Sequence, residues 1–461
     1  MTREIIQNAA EAEGFSILGI SPAVSPSGYS HLLKWIEDGF AGEMQYFKNR
    51  QEAYQHPNSV LEGVRSIVML AYPYPASAVL VSKNKRNEAD LLDGIKTENE
   101  QPFGNSPKAN FENHVKQDSA LPQPSATGLI ARYASTGTDY HDELHPKLKR
   151  LCKAIQAFAP DSSNRGVVDT APLMEREFAQ LAGLGWIGKN TLLINKRKGS
   201  YFFLACILTS LSLEPSTPHS SSHCGTCTAC LDACPTDAFP EPGRLDARKC
   251  ISYLTIEHRG SIPYELRSKM GDWVFGCDVC QEVCPWNKKP SVRWTAERKV
   301  SEVKNDPIQA IAVPEKDVHS TERTPLSTSH TGSNSRAKAF ERTIELLELF
   351  SMDDDAFRQA FRKTPLWRPR RRGLLRNAAV VLGNQKDPKA IPALKLGLQD
   401  PDPIVRGACV WALGNLKHPV AKQALQEQLK KESDSSVLQE IRWSLQPSDK
   451  RRSNHDQRSS S

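Results

Sequence analysis

No run of about 18 apolar residues, the length a helix needs to cross a bilayer, occurs anywhere in the 461-residue chain. The opening segment, MTREIIQNAAEAEGF, reads as an amphipathic helix, with neither an apolar signal core nor a twin arginine ahead of one. A membrane partner is therefore not expected, and the cytoplasm is the expected compartment. A disulfide framework belongs to exported chains and is disfavoured on the same ground. The chain also lacks G-x-G-x-x-G after a strand, which argues against dinucleotide binding. Hydrophobic residues are 39% and charged residues 25%, ordinary for a globular protein of two or three domains. A net charge of +7 hints weakly at a polyanionic partner.

Against these absences stand eight of the eleven cysteines, all between Cys224 and Cys284. They read Cys224-x2-Cys227-x2-Cys230-x3-Cys234-Pro235, then Cys250, then Cys277-x2-Cys280-x3-Cys284-Pro285. The first run has bacterial ferredoxin spacing, in which the fourth thiolate reaches across to a second cubane. Crossed ligation predicts one cluster on Cys224, Cys227, Cys230 and Cys284, and another on Cys250, Cys277, Cys280 and Cys234. Two structural zinc sites are the alternative, but they do not call for this run twice.

Helix and strand signals alternate on either side of a polar stretch at 77–126, which reads as a disordered insertion. Gly14–Ile20 reads as a helix end followed by a buried strand, and Ser66–Tyr72 and Tyr201–Leu208 read as strands. A helix after Tyr140 carries Leu144, Leu148, Leu151 and Ile155 on one face. The alternation predicts an α/β domain over 1–210 and the cysteines a ferredoxin-type domain over 211–290. Residues 291–339 read as linker, Pro-, Ser- and Thr-rich over 305–338, and 447–461 as a disordered tail. Between them, 340–446 is helical. Leu382-Gly383-Asn384 returns as Leu413-Gly414-Asn415, 31 residues on, so paired helices resembling HEAT repeats are expected.

Gly183, Gly185 and Gly188 fall in Ala182-Gly-Leu-Gly-Trp-Ile-Gly-Lys-Asn190. They would let backbone approach a large flat ligand, or would simply form a tight turn. A basic run, Arg362-Lys363, Arg368, Arg370-Arg371-Arg372 and Arg376, has seven cations, no acid and an interleaved Trp367. It reads as an RNA-contacting surface, the alternative being a solvated face.

Four segments together resemble the epoxyqueuosine reductase family. They are Tyr133-x3-Gly137-x-Asp139-Tyr140-His141, Val168-Asp169-Thr170, the glycine-rich segment, and Gly276-Cys277-Asp278-x-Cys280-Gln281-x2-Cys284-Pro285-Trp286-Asn287. The likeness covers most of 1–76, 127–290 and 340–445; the insertion and the linker depart from the family pattern outside the motifs. It implies an α/β cobalamin-binding domain, then a ferredoxin-like two-cluster domain and an all-α HEAT-like repeat domain. The implied activity reduces epoxyqueuosine to queuosine at the tRNA wobble position, with cobalamin fed electrons by two 4Fe–4S clusters. Asp169 would be the proton donor; by its residues alone it reads as a helix N-cap. Arg50, Arg132, Gly188, Asn190 and Leu193 would join Asp169 around the corrin. Arg368, Arg370, Arg371, Arg372 and Arg376 would contact RNA, with His258 and Arg259 facing the anticodon. His141 could ligate cobalt, but a helix-start histidine bonded to Asp139 is preferred. The reductant would be a flavodoxin or ferredoxin, and the protein a monomer. A reductive dehalogenase-like enzyme would want an export signal, and a bare electron-transfer protein would leave Asp169 unexplained.

Overall fold

The computed structural model describes residues 2–74, 126–288 and 342–446, so the expectations for the insertion, the linker and the tail lie outside the described residues. Strands Ile17–Pro22, Ser66–Pro73, Phe202–Thr209 and Asn164–Val167 pair in that spatial order. Every pairing is antiparallel: Ile17 opposes Ala71, Ser66 opposes Thr209, and Asn164 opposes Thr209. The expected α/β alternation is present in sequence, but it does not build a parallel sheet.

Both faces of this sheet are covered, which explains why 66–71 is an unbroken buried run. Ile67, Met69 and Ala71 pack with Phe178 and Ala179 of helix Glu175–Leu181. Val68 and Leu70 point the other way. They meet Ile6 and Ala10 of helix Thr2–Ala12 and Leu144, Leu148, Leu151 and Ile155 of helix Tyr140–Phe158.

A second, three-stranded sheet crosses the expected domain boundaries. Thr127–Ile130 lies between Trp273–Phe275, which is parallel to it, and Thr343–Glu345, which is antiparallel. Residues 343–345, expected to be helical, are thus a strand that ties the repeat region to the rest. One hydrophobic core continues from Ile251, Met270 and Phe275 into Leu374, Ala378, Val405 and Trp411.

The repeat region contains helices Arg370–Gln385, Ile391–Gly397, Pro403–Leu416, Pro419–Lys431 and Ser435–Leu445. The glycine of each Leu-Gly-Asn lies where helices press together. A Cβ on Gly383 would stand 2.6 Å from the Trp411 ring, and one on Gly414 2.7 Å from Ser444 Cβ. The Asn384 amide donates 2.9 Å bonds to the carbonyls of Arg267 and Gly271.

Arg376 is the main polar tie between the repeats and the cysteine region. It is 1% exposed and donates to the carbonyls of Leu254 at 2.7 Å, His258 at 2.8 Å and Gly260 at 2.6 Å. Arg376→Ala would orphan those acceptors inside the core. The expected loss is about 3 kcal/mol or more of stability, read as a lower urea midpoint with cofactor-free protein of both forms.

Candidate active site

Just past strand Asn164–Val167 the chain turns at Asp169, whose φ of 42° is left-handed. Aspartate tolerates that region better than most residues. The turn is held by its own peptide: Asp169 N–H donates to Glu175 Oε1 at 2.8 Å. Asp169 does not cap the following helix, which begins at Glu175 with no side-chain cap.

The Asp169 side chain, 46% exposed, is gripped from behind. The Tyr140 hydroxyl donates to Oδ2, and His141 Nε2 lies 2.7 Å from Oδ1. His141 Nδ1 lies 2.8 Å from Asp139 Oδ1, and Asp139 caps the helix by accepting from His141 N–H at 3.0 Å. Helix Tyr140–Phe158 therefore presents two consecutive residues, Tyr140 and His141, to the acid from its first turn, with the capping Asp139 behind His141. Both nitrogens of His141 are engaged, which fits the Asp139-bonded reading and not the cobalt-ligand one. Burial opposes charge on the imidazole, but bonds from Asp139 and Asp169 outweigh it and raise it to about 9. Burial, then the Asp169 charge, pushes the Glu175 carboxyl up to about 8, so it is mostly protonated at neutral pH.

The exposed side of Asp169 is flanked by residues of two other segments. Arg176 is exposed, and desolvation lowers its guanidinium. Tyr46 has the same character, 44% exposed with a phenol raised first by burial and also by Asp169. Ile187 is 36% exposed. Arg50 donates from Nη1 to Thr170 O at 3.4 Å and Arg176 to Thr191 O at 2.9 Å.

The other residues expected around the corrin divide. Gly188 is buried and its N–H donates to Leu192 O at 2.8 Å. Asn190, 3% exposed, donates from Nδ2 to Cys280 O at 3.3 Å, joining the hairpin to the second cysteine group. Leu193, however, packs into the sheet core beside Phe178 and Leu184. Arg132 lies over the Tyr201 ring at 4.5 Å and reaches Glu282 at 3.8 Å. Tyr46, Tyr140, Glu175 and Arg176 had no role assigned from sequence. Tyr140 sits in the Asp-Tyr-His motif, and Glu175-Arg176 end the segment that begins at Val168.

The cysteines form two neighbourhoods. Cys230 feels Cys224, Cys284 and Cys227, and Cys284 feels Cys224 and Cys227. Cys277 feels Cys250 and Cys234; Cys280 feels Cys250, Cys277 and Cys234, and also Cys230, so the two groups adjoin. Among the described residues no three His, Cys, Asp or Glu side chains converge tightly enough for a single ion. Cys227 is exposed, whereas Cys280 lies beside Asn190 and Arg176.

The basic run does not project as one surface. Arg376 is internal, as above. Arg371 binds the buried Asp400 at 2.7 Å and Met352 O at 2.8 Å. Arg368 turns toward the acid, with Nη2 3.1 Å from His141 Nδ1 and 3.4 Å from Asp139 Oδ1, over the Tyr140 ring. These three therefore serve contacts within the chain in this structure. Arg362, Lys363 and Arg370 are exposed and Arg372 is 41% exposed. Lys363 lies beside the Asp139–His141 turn, since Asp139 N–H donates to Lys363 O at 2.8 Å; Arg370 lies over the Trp367 ring and Arg372 is 3.6 Å from Asp402. Arg259 is exposed and donates to Arg368 O at 3.0 Å. His258 is tied to Glu43 at 3.0 Å and Ser261 O at 2.9 Å.

Comparison with known proteins agrees with this arrangement. Residues 223–287 match a 4Fe-4S double cluster binding domain, 371–446 match HEAT repeats, and 108–170 match the family model described as epoxyqueuosine reductase QueG, DUF1730. An epoxyqueuosine reductase of Pseudomonas aeruginosa is 35% identical over 403 residues, 87% of this chain and 90% of that one. A crystal structure of epoxyqueuosine reductase with a tRNA-Tyr epoxyqueuosine-modified stem loop superposes with TM-score 0.70 at 26% identity, covering 96% and 97% of the two chains. The Bacillus subtilis epoxyqueuosine reductase, in a structure with its catalytic aspartate loop swung out of the active site, gives 0.69 at 26% identity over 96% and 98%. The chain belongs to the epoxyqueuosine reductase family.

Proposed function

We propose that the protein reduces epoxyqueuosine to queuosine at the wobble position of tRNA anticodons. One observation carries the reading most: hydrogen bonds join Asp169 to cationic residues on one side, and the glycine-rich segment to the second cysteine group on the other. Asp139 and His141 join the acid to Lys363 and Arg368, and Asn190 joins the glycine-rich segment to Cys280.

Arg50, Tyr46, Arg176, Ile187, Gly188 and Asn190 would hold cobalamin beside Asp169. When bound, cobalamin supplies low-potential two-electron chemistry at the epoxide carbon. The remaining steps belong to the chain. The cysteine groups would hold two 4Fe–4S clusters, wired as the crossed spacing predicts, passing electrons inward from the exposed Cys227 side to the Cys280 side. Asp169, presented by Tyr140 and His141, protonates the oxygen as the ring opens; a positioned acid of this kind contributes about 10²–10⁴ in rate. The oxygen leaves as water after two electrons and two protons.

Protein reconstituted anaerobically with iron, sulfide and cobalamin should convert epoxyqueuosine in tRNA to queuosine under a low-potential reductant, read by nucleoside mass spectrometry. No conversion by protein holding both cofactors would refute the assignment.

The exposed cations predict where RNA binds. Replacing Arg370 and Arg372 by Gln should weaken tRNA binding and flatten its salt dependence by roughly 0.7 per lost phosphate contact. Cofactor content should not change, since neither residue is among those assigned to cobalamin or the clusters. Unaltered affinity and slope would show that the two are only a solvated face.

A further inference from the structure

Removing an epoxide oxygen as water puts two protons on that one oxygen, and a single carboxyl carries one. The second proton needs a source within reach of Asp169. Asp169 has 46% of its side chain exposed, whereas His141 stands behind it at 21%. The two share a 2.7 Å hydrogen bond between Nε2 and Oδ1. The other nitrogen, Nδ1, is 2.8 Å from Asp139 Oδ1, so the ring lies between two carboxylates.

We propose that His141 recharges Asp169 within one turnover. This rests on the reading of Asp169 as proton donor. Asp169 gives its proton to the oxygen as the first C–O bond breaks. The imidazolium then passes its Nε2 proton along the hydrogen bond to Oδ1, leaving a neutral ring that donates from Nδ1 to Asp139. Asp169 delivers this second proton to the hydroxyl as the remaining C–O bond breaks, and water leaves. The two electrons are those drawn from the clusters, so the step is balanced in charge and atoms. His141 acts through Asp169 and is a positioning residue.

The groups facing the ring come from three elements. Asp139 and Tyr140 precede it, and His145 stacks one turn on at 5.6 Å. Asp169 approaches from its loop, where Glu175 also acts on it. Arg368 approaches from the basic run, its Nη2 3.1 Å from Nδ1. A nitrogen that donates to Asp139 cannot also accept from Arg368, so Arg368 at Nδ1 favours only a neutral ring protonated at Nε2, whereas Asp139 favours the Nδ1–H forms, the charged ring and the neutral ring left by the relay alike. Once Asp169 has given its proton and both carboxylates are ionised, the balance of bonds holds the ring charged at neutral pH, its pKa raised to about 9.

The test uses the full chain with both clusters and cobalamin bound. His141→Gln keeps a donor near Oδ1 but has no proton to transfer. The wild type should hold a level kcat through neutral pH and lose it above about pH 9. The variant should lose about 10²-fold in kcat with KM for tRNA unchanged, and its decline should begin at lower pH, because solvent must recharge Asp169. A variant whose alkaline decline coincides with that of the wild type, at whatever rate, overturns the relay. A second readout needs no turnover: nitrogen NMR of labelled histidine should show His141 doubly protonated to about pH 9 in the wild type. In Asp169→Asn its titration should fall toward the ordinary value near 6.5. An ordinary titration in the wild type also overturns the relay, whereas a wild type that fails to convert epoxyqueuosine refutes the underlying reading instead.

Discussion

Asp169→Asn is expected to bind both clusters, cobalamin and tRNA normally and to lose turnover by about 10²–10⁴. Asparagine keeps the shape and accepts the left-handed backbone as readily as aspartate, so the φ of 42° adds no strain to the variant. Its carbonyl can still receive the Tyr140 hydroxyl, and its peptide N–H can still reach Glu175. What disappears is the acidic proton. Single-turnover mass spectrometry beside cobalamin and cluster absorption separates this outcome from a folding defect. Wild-type turnover by the variant would remove Asp169 from the mechanism.

Cys284→Ser should abolish the cluster whose other ligands lie some way back in sequence, at Cys224, Cys227 and Cys230. Cys284 is 7% exposed and packs with Trp186, Ile194, Cys224 and Trp286. Its thiol is raised by burial and feels Cys224 and Cys227. Electron paramagnetic resonance of the reduced variant should show a single cluster signal, identical to that left by Cys224→Ser. Cys234→Ser and Cys277→Ser should both leave the complementary signal. If Cys284→Ser instead matches Cys277→Ser, the crossed wiring is wrong.

Periodicity made much of the fold legible, and strand direction was the part it left open. The stripe Leu144, Leu148, Leu151, Ile155 is the buried face of helix Tyr140–Phe158, and the run 66–71 is a strand covered on both faces. Helix–strand alternation says nothing about which way neighbouring strands run, so the antiparallel sheet could not be read from it. The strand Thr343–Glu345 is too short for a period-two pattern, and it pairs with Thr127–Leu129, which is remote in sequence.

At the site, residue types were visible and their directions were not. Successive helical residues point about 100° apart. Arg370 lies over Trp367, Arg371 reaches buried Asp400, and Arg372 faces Asp402. A uniform run of charge therefore divides between surface and core. Asp169 read as a cap because an acid after a strand often begins a helix; here the helix waits until Glu175 and the acid is left for Tyr140 and His141. The spacing Cys-x2-Cys-x2-Cys-x3-Cys-Pro needs no tertiary information to be read, which is why the cysteine groups were the most legible part of the site.

We propose that the chemistry beside Asp169 runs through cobalamin, with the clusters as its electron source. An omission experiment addresses it most directly. Protein reconstituted with both clusters but without cobalamin would be reduced anaerobically and mixed with epoxyqueuosine-containing tRNA, and the nucleosides then analysed by mass spectrometry. The account predicts fully reduced clusters and no queuosine until cobalamin is added, followed by conversion. Queuosine formed at an undiminished rate without cobalamin would contradict it.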